Sequence, residues 1–190
     1  MAASRTPPAN PPTNTSLRWL LGAVAVGALV SVGLGAYGRV HQPTFESTVT
    51  FGFPSQIEMK VGLAAVVGVL GIVQLVTSLR MYGRLGRGRP SPAVAITHRG
   101  SGVAAVLVSL PVAFHCLWSL GFQDYSNRVL LHSVMGCLFY GAFVTKMLAL
   151  RIKGLPGWAI PALGGITFAI LVCVIATSAL WWLSSGRPTY

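Results

Sequence analysis

Apolar residues run along the chain in five long blocks, at roughly 17–37, 59–81, 96–120, 129–150 and 158–183. The stretches between them are rich in Gly, Pro, Arg or polar residues. A helix rises ~1.5 Å per residue, so ~20 residues cross the ~30 Å hydrocarbon core of a bilayer. Each block has that length. Strands of a membrane barrel would be about half as long and would alternate in polarity. The pattern predicts an all-α integral membrane bundle with five transmembrane helices over 17–183. The Pro-, Asn- and Thr-rich segment 1–16 reads as a disordered tail, and 184–190 as a second short tail. The first block is longer than a signal-peptide core and no A-x-A site follows it, so it reads as an uncleaved anchor.

Composition agrees. Charged residues make up 9% of the chain, against roughly 25% in soluble domains, and 53% of residues are apolar. The net charge of +11 could suggest a nucleic-acid partner, but the basic residues lie at the ends of apolar blocks, which excludes one. Arg5, Arg18, the four arginines of 80–89, Arg99, Lys146, Arg151 and Lys153 fall on one side. Arg39, Lys60, Arg128 and Arg187 fall on the other, with all three acids, Glu46, Glu58 and Asp124. Basic loops stay in the cytoplasm, so the expected N-terminus is cytoplasmic and the C-terminus external. The three cysteines lie inside apolar blocks, form no CxxC pair and read as small buried hydrophobes.

Small residues recur within the blocks: Ala23 and Gly27, Ser31 and Gly35, Gly68 and Gly71, Gly164 and Gly165. Such positions let helix backbones approach closely. Pro111 lies inside the third block and is expected to remove a backbone hydrogen bond and bend the helix. The external loop 40–57 carries Phe45, Phe51 and Phe53 and is long enough to lie on the membrane or cover a site.

Function must rest on few polar residues, and the histidines stand out. Ionisable side chains within a membrane are costly and ask for a role. His115 lies six residues before the turn at Gly121, and His132 lies five after Asn127. On helices joined by so short a turn, both imidazoles are ~8–9 Å inside the outer ends. Two imidazoles at one depth on adjacent antiparallel helices suit the axial positions of one haem iron. Gly136, one turn past His132, leaves room for a flat porphyrin, and Phe139 and Phe143 continue that face. Arg128 is one turn outward and could meet a propionate, as could Arg39 or Lys60. Trp118 and Tyr125 are interfacial anchors or propionate donors.

The plain alternative is that these histidines hydrogen-bond to neighbouring helices and bind nothing. Zinc would need four ligands, and no further Cys, Asp or Glu joins the pair, because Cys116 points about 100° away from His115 on a helical wheel. His98 is ~25 Å from His115 along the axis and serves a second haem only with a ligand such as Met147 or Met81. Without one it contacts lipid phosphate or a carbonyl. His41 reads as an exposed loop residue.

The strings THRGSG, FHCLWSLGF and LLHSVMGCLFYGAFVTK, within 97–146, resemble the b-type haem transmembrane cytochromes, including the cytochrome b561 and ferric-reductase-like families. The whole chain is similar to a small family of actinobacterial five-span membrane proteins. The resemblance implies haem b, one per chain or two if His98 finds a partner, with His115 and His132 as iron ligands. It implies an electron-transfer oxidoreductase subunit in a bacterial plasma membrane, in contact with membrane lipids and with an external redox protein or quinol. Cytochromes that carry electrons across the whole membrane usually have two complete histidine pairs, and this chain has one pair and an orphan. The alternative function is a non-catalytic structural or assembly subunit of a larger membrane complex. A transporter is disfavoured by the few intramembrane polar groups and the absence of paired discontinuous helices.

Overall fold

The computed structural model describes residues 14–46 and 49–186, and over these the chain is helical with no strand. Helix α1 is Asn14–Val40, α2 is Gln56–Met81 and α3 is Pro92–Phe114, continued by a π-helical turn at His115–Leu120. Helix α4 is Asn127–Ala149. Helix α5 is Ala159–Ile175, continued by a second π turn, Ala176–Leu180, into the short α6, Trp181–Ser184. Five spans, Asn14–Val40, Gln56–Met81, Pro92–Leu120, Asn127–Ala149 and Ala159–Ser184, are long and apolar enough to cross a membrane. The expected tail therefore gives way to helix from Asn14. The rest of it lies outside the described residues, as do Arg187 and the end of the second tail.

Local chemistry sets the helix ends. Ser55 caps α2 by accepting from the Glu58 amide at 3.2 Å. Ser126 caps α4 by accepting from the Val129 amide at 3.3 Å. Each satisfies one of the amides that a helix leaves unpaired. Ser126→Ala should therefore cost ~1 kcal/mol, read as a lower thermal midpoint in detergent with unchanged helix content. At the end of the α3 span, Gly121 adopts φ 70°, and the next amide, of Phe122, donates to the Gly38 carbonyl at 2.7 Å. A side chain at Gly121 would be strained by that φ and would sit 3.0 Å from the same carbonyl.

Pro111 does disturb its helix. It lacks the amide that would bond one turn back, and the wider π turns begin four residues later.

The order of helices around the bundle differs from their order in the chain. Helix α1 packs on α4, α4 on α5, α5 on α2 and α2 on α3. The π-helical end of α3 returns to α1. Helices α3 and α4, expected as close neighbours because a short turn joins them, instead pack their backbones on other helices. They meet each other through long side chains. One end of the bundle, the acidic end, carries Glu46, Glu58 and Asp124. The other, with Arg80 to Arg89, Lys146, Arg151 and Lys153, is the basic end.

The stripe Ala23, Gly27, Ser31 and Gly35 is the α1 face that meets α4. Gly68 and Gly71 admit Ile175 and Leu171 of α5. Gly164 and Gly165 behave otherwise than expected, since a Cβ on either would meet nothing within 4 Å. They face away from the other helices.

The loop after α1 folds over the acidic end. The Phe45 amide donates to the Ser119 carbonyl at 3.0 Å, and the Ser119 hydroxyl donates to the Glu46 carbonyl at 3.0 Å. Ser119 is fully buried by this contact. Arg39 is ion-paired with Asp124 at 2.9 Å, and with side chains 62% and 50% exposed the pair adds little stability.

Candidate functional site

His115 opens the π turn and is 2% exposed. Its Nδ1 lies 2.8 Å from the Pro111 carbonyl oxygen. An imidazole there donates through Nδ1, which leaves Nε2 with its lone pair. That Nε2 is buried and has no hydrogen-bond partner among the described residues. Pro111 thus has two consequences. It interrupts the helix, and its carbonyl orients the ring that follows.

His132 lies on α4 and reaches α5. Its Nδ1 is 3.3 Å from the Val174 carbonyl and 3.3 Å from the Thr177 hydroxyl. The Cys116 sulfur is within hydrogen-bonding reach of the same imidazole. The α3 residue that the structure brings to His132 is therefore Cys116, and no ring contact or hydrogen bond joins His115 to His132. Lys60 of α2 is near enough to act electrostatically on the Cys116 sulfur.

One level deeper, the Tyr140 hydroxyl of α4 lies 2.9 Å from the Ser109 hydroxyl of α3 and 3.2 Å from its carbonyl. Cys116 and Ser109 are seven residues apart and share one face of the helix. That spacing from Ser109, which faces Tyr140, is the signal that could have placed Cys116 beside α4 in advance. Tyr140→Phe should lower stability by about 0.6 kcal/mol, the usual worth of an interhelical hydrogen bond in a membrane, measured by unfolding in detergent.

The remaining expected residues are placed as follows. Gly136 is half-buried, and a Cβ there would meet nothing within 4 Å. Phe139 is buried and stands edge-on to Tyr140. Arg128 turns to α5, where it donates to the Thr177 carbonyl at 2.7 Å and stacks 3.5 Å over the Trp181 ring. His98 belongs to the α2–α3 seam. Its Nδ1 is 2.9 Å from the Thr77 hydroxyl, and Gln74 donates to its carbonyl and, at 2.7 Å, to Ser101. Gly102 makes room for that Gln74 amide. Met147 is 43% exposed, and Lys146 is the α4 residue that acts electrostatically on His98.

His41 is not the exposed loop residue that its position suggests. Its ring is stacked between Tyr37, at 5.1 Å, and Trp118, at 4.6 Å, and its Nε2 is buried without a partner among the described residues. Trp118 in turn stacks on Phe114 at 6.0 Å, and Phe114 meets His115 edge-on at 5.5 Å. Aromatic rings thus run from the α1 end to His115. Tyr125 is 73% exposed.

A protein-family model matches residues 20–189, which covers every span except the first turns of α1. The chain belongs to DUF6529, a family of unknown function. No curated protein and no solved structure matches. Membership in DUF6529 extends over the whole five-span unit, including the His115 and His132 region, and the chemistry must come from the residues themselves. Among the described residues of this DUF6529 member, no three His, Cys, Asp or Glu side chains gather as metal ligands.

Proposed function

We propose that the protein is a membrane b-type cytochrome that passes electrons through haem b held between α3 and α4, where His115 and His132 would hold its iron. The buried, unpartnered Nε2 of His115, with Nδ1 held on the Pro111 carbonyl, carries this reading. Histidines that ligate a metal through one nitrogen characteristically donate the other N–H to a carbonyl, which fixes tautomer and ring orientation. His132 has the same support from Val174 and Thr177. The backbones of α3 and α4 are not packed on each other, and Gly136 leaves space on the α4 side.

Bound haem would supply a one-electron iron couple whose potential is set by ligands and burial. The chain orients the two imidazoles, excludes water with the 41–46 loop folded over Ser119, and offers Lys60 as a positive charge near the α3–α4 interface. The stacked rings of His41, Trp118 and Phe114 line a route from the acidic end toward His115, where an external redox protein or membrane quinol would exchange electrons. The excess of Arg and Lys at the basic end supports a cytoplasmic position for that end, in a bacterial plasma membrane.

A reduced-minus-oxidised visible spectrum of the purified protein, with a haemochrome assay, tests the proposal. The expected result is sharp b-type bands at about one haem per chain. Folded protein without haem, from cells well supplied with it, would overturn the reading. About two haems per chain would make His98 a ligand as well.

The contact between Cys116 and His132 favours a second reading, a non-catalytic structural or assembly subunit of a membrane complex. In it the imidazole of His132 serves packing among α3, α4 and α5. Co-purification with a stable complex, unchanged when both His115 and His132 are replaced, would support this reading.

A further inference from the structure

At the basic end, a groove of about 650 Å³ runs between α1 and the C-terminal end of α4. Its mouth carries Arg151 and Lys153, both exposed, from the segment after α4. Its walls are apolar, with Trp19 on one side and Leu148 on the other. Gly22 forms part of the floor, and a Cβ there would meet nothing within 4 Å. The lining extends along α1 from Thr15 to Val26, which at ~1.5 Å per residue is about 16 Å. Half of a ~30 Å hydrocarbon core is nearly the same depth.

The charges at the mouth have no acidic counterpart among the described residues. Glu46, Glu58 and Asp124 are the only acids in the chain, and all three belong to the opposite end. No hydrogen bond or ion pair occupies the Arg151 guanidinium or the Lys153 ammonium among the described residues. The groove is therefore cationic at the interface, apolar below it, and as deep as one leaflet.

We infer that this groove binds one anionic phospholipid, with its phosphate headgroup between Arg151 and Lys153 and an acyl chain laid along the α1 face over Gly22. Charge complementarity selects the headgroup, and the depth of the groove selects a lipid over a soluble phosphate. Trp19 suits the boundary between the two, since an indole at the interface has one apolar and one wet side. The inference is independent of the haem reading and uses none of its residues.

Native mass spectrometry of the full chain in mild detergent tests it, with phosphatidylglycerol, phosphatidylcholine and inorganic phosphate as probes. The wild type should retain one phosphatidylglycerol in preference to phosphatidylcholine and should not retain inorganic phosphate. Each cation near an anionic headgroup is worth about one order of magnitude or less, so R151Q/K153Q should weaken retention about thirtyfold. Gly22→Leu keeps both charges and fills the floor, and it should weaken retention at least fivefold. R84Q/R87Q, which removes the same charge from the α2–α3 loop, should leave retention unchanged. Equal binding of both lipids would overturn the inference. So would retention unaffected by R151Q/K153Q, or an equal loss in R84Q/R87Q. Elution volume and helical circular dichroism identify any variant that fails to fold. In that case R151K/K153R, which conserves the charge, should still retain the lipid, and its loss there would also overturn the inference.

Discussion

On the proposed function, His115→Ala should abolish the low-spin haem spectrum, and His132→Ala should do the same. Each change is expected to reduce bound haem by at least tenfold in the purified protein. Were haem held by these two imidazoles, losing either would leave the iron one ligand short or unbound, read as a high-spin spectrum or an empty protein. The supporting residues should have smaller, graded effects. Thr177→Val removes one of two oxygens on the His132 Nδ1, and such outer partners typically change metal affinity ten- to a hundredfold. A normal low-spin spectrum in both single histidine variants removes the assignment, and His115 and His132 become packing residues. Size-exclusion elution alongside the spectrum distinguishes loss of ligand from loss of fold.

The spans were legible because the bilayer imposes one length and one polarity, and five blocks in the sequence meet both. The small stripe on the first span was legible for a related reason, since positions 23, 27, 31 and 35 fall on one helical face whatever that face meets. Which helix it meets was not legible. Hydropathy carries no information on neighbours, and the short turn between α3 and α4 suggested a pairing that the packing of α1 on α4 and α2 on α3 replaces. His41 illustrates the same limit. Local sequence makes it a loop residue, and only the docking of that loop against Trp118 buries its ring. At the site, the depth of His115 and His132 could be counted from the turn, whereas their directions could not. The turn after Pro111 is π-helical, so each residue from His115 to Leu120 advances by less than the 100° of an α-helical wheel. Cys116 was set aside on the angle between it and His115. The heptad relation to Ser109 was the better guide, because Ser109 faces Tyr140 on α4.

Gly27→Leu and Gly141→Leu should each prevent the first and fourth spans from packing, with little or no monodisperse protein recovered. A Cβ on Gly27 would overlap the Thr145 hydroxyl and sit 2.5 Å from the Gly141 carbonyl oxygen. A Cβ on Gly141 would overlap the Ser31 hydroxyl and the Gly27 carbonyl. A side chain can rotate out of the way, but a helix carbonyl moves only with its helix. Overpacking by a single methyl typically costs 1–3 kcal/mol, and a leucine adds three more carbons. In a membrane no hydrophobic gain restores the contact, because lipid tails satisfy an apolar helix face as well as another helix does. Backbone proximity, van der Waals contact and the Thr145 hydroxyl, whose one proton is shared between the Gly141 carbonyl of its own helix and, at 3.4 Å, the Ala23 carbonyl of α1, are what hold α1 to α4. Gly165→Leu supplies the control, with the same chemical change at a position where nothing lies within 4 Å. It should fold as the wild type does. Fluorescence-detected size exclusion of the three variants reads the difference directly. Wild-type-like elution and thermal midpoint for Gly27→Leu and Gly141→Leu would mean that α1 and α4 do not share this seam. With that seam gone, the ring order of helices that holds His132 against α5 would also have to be redrawn.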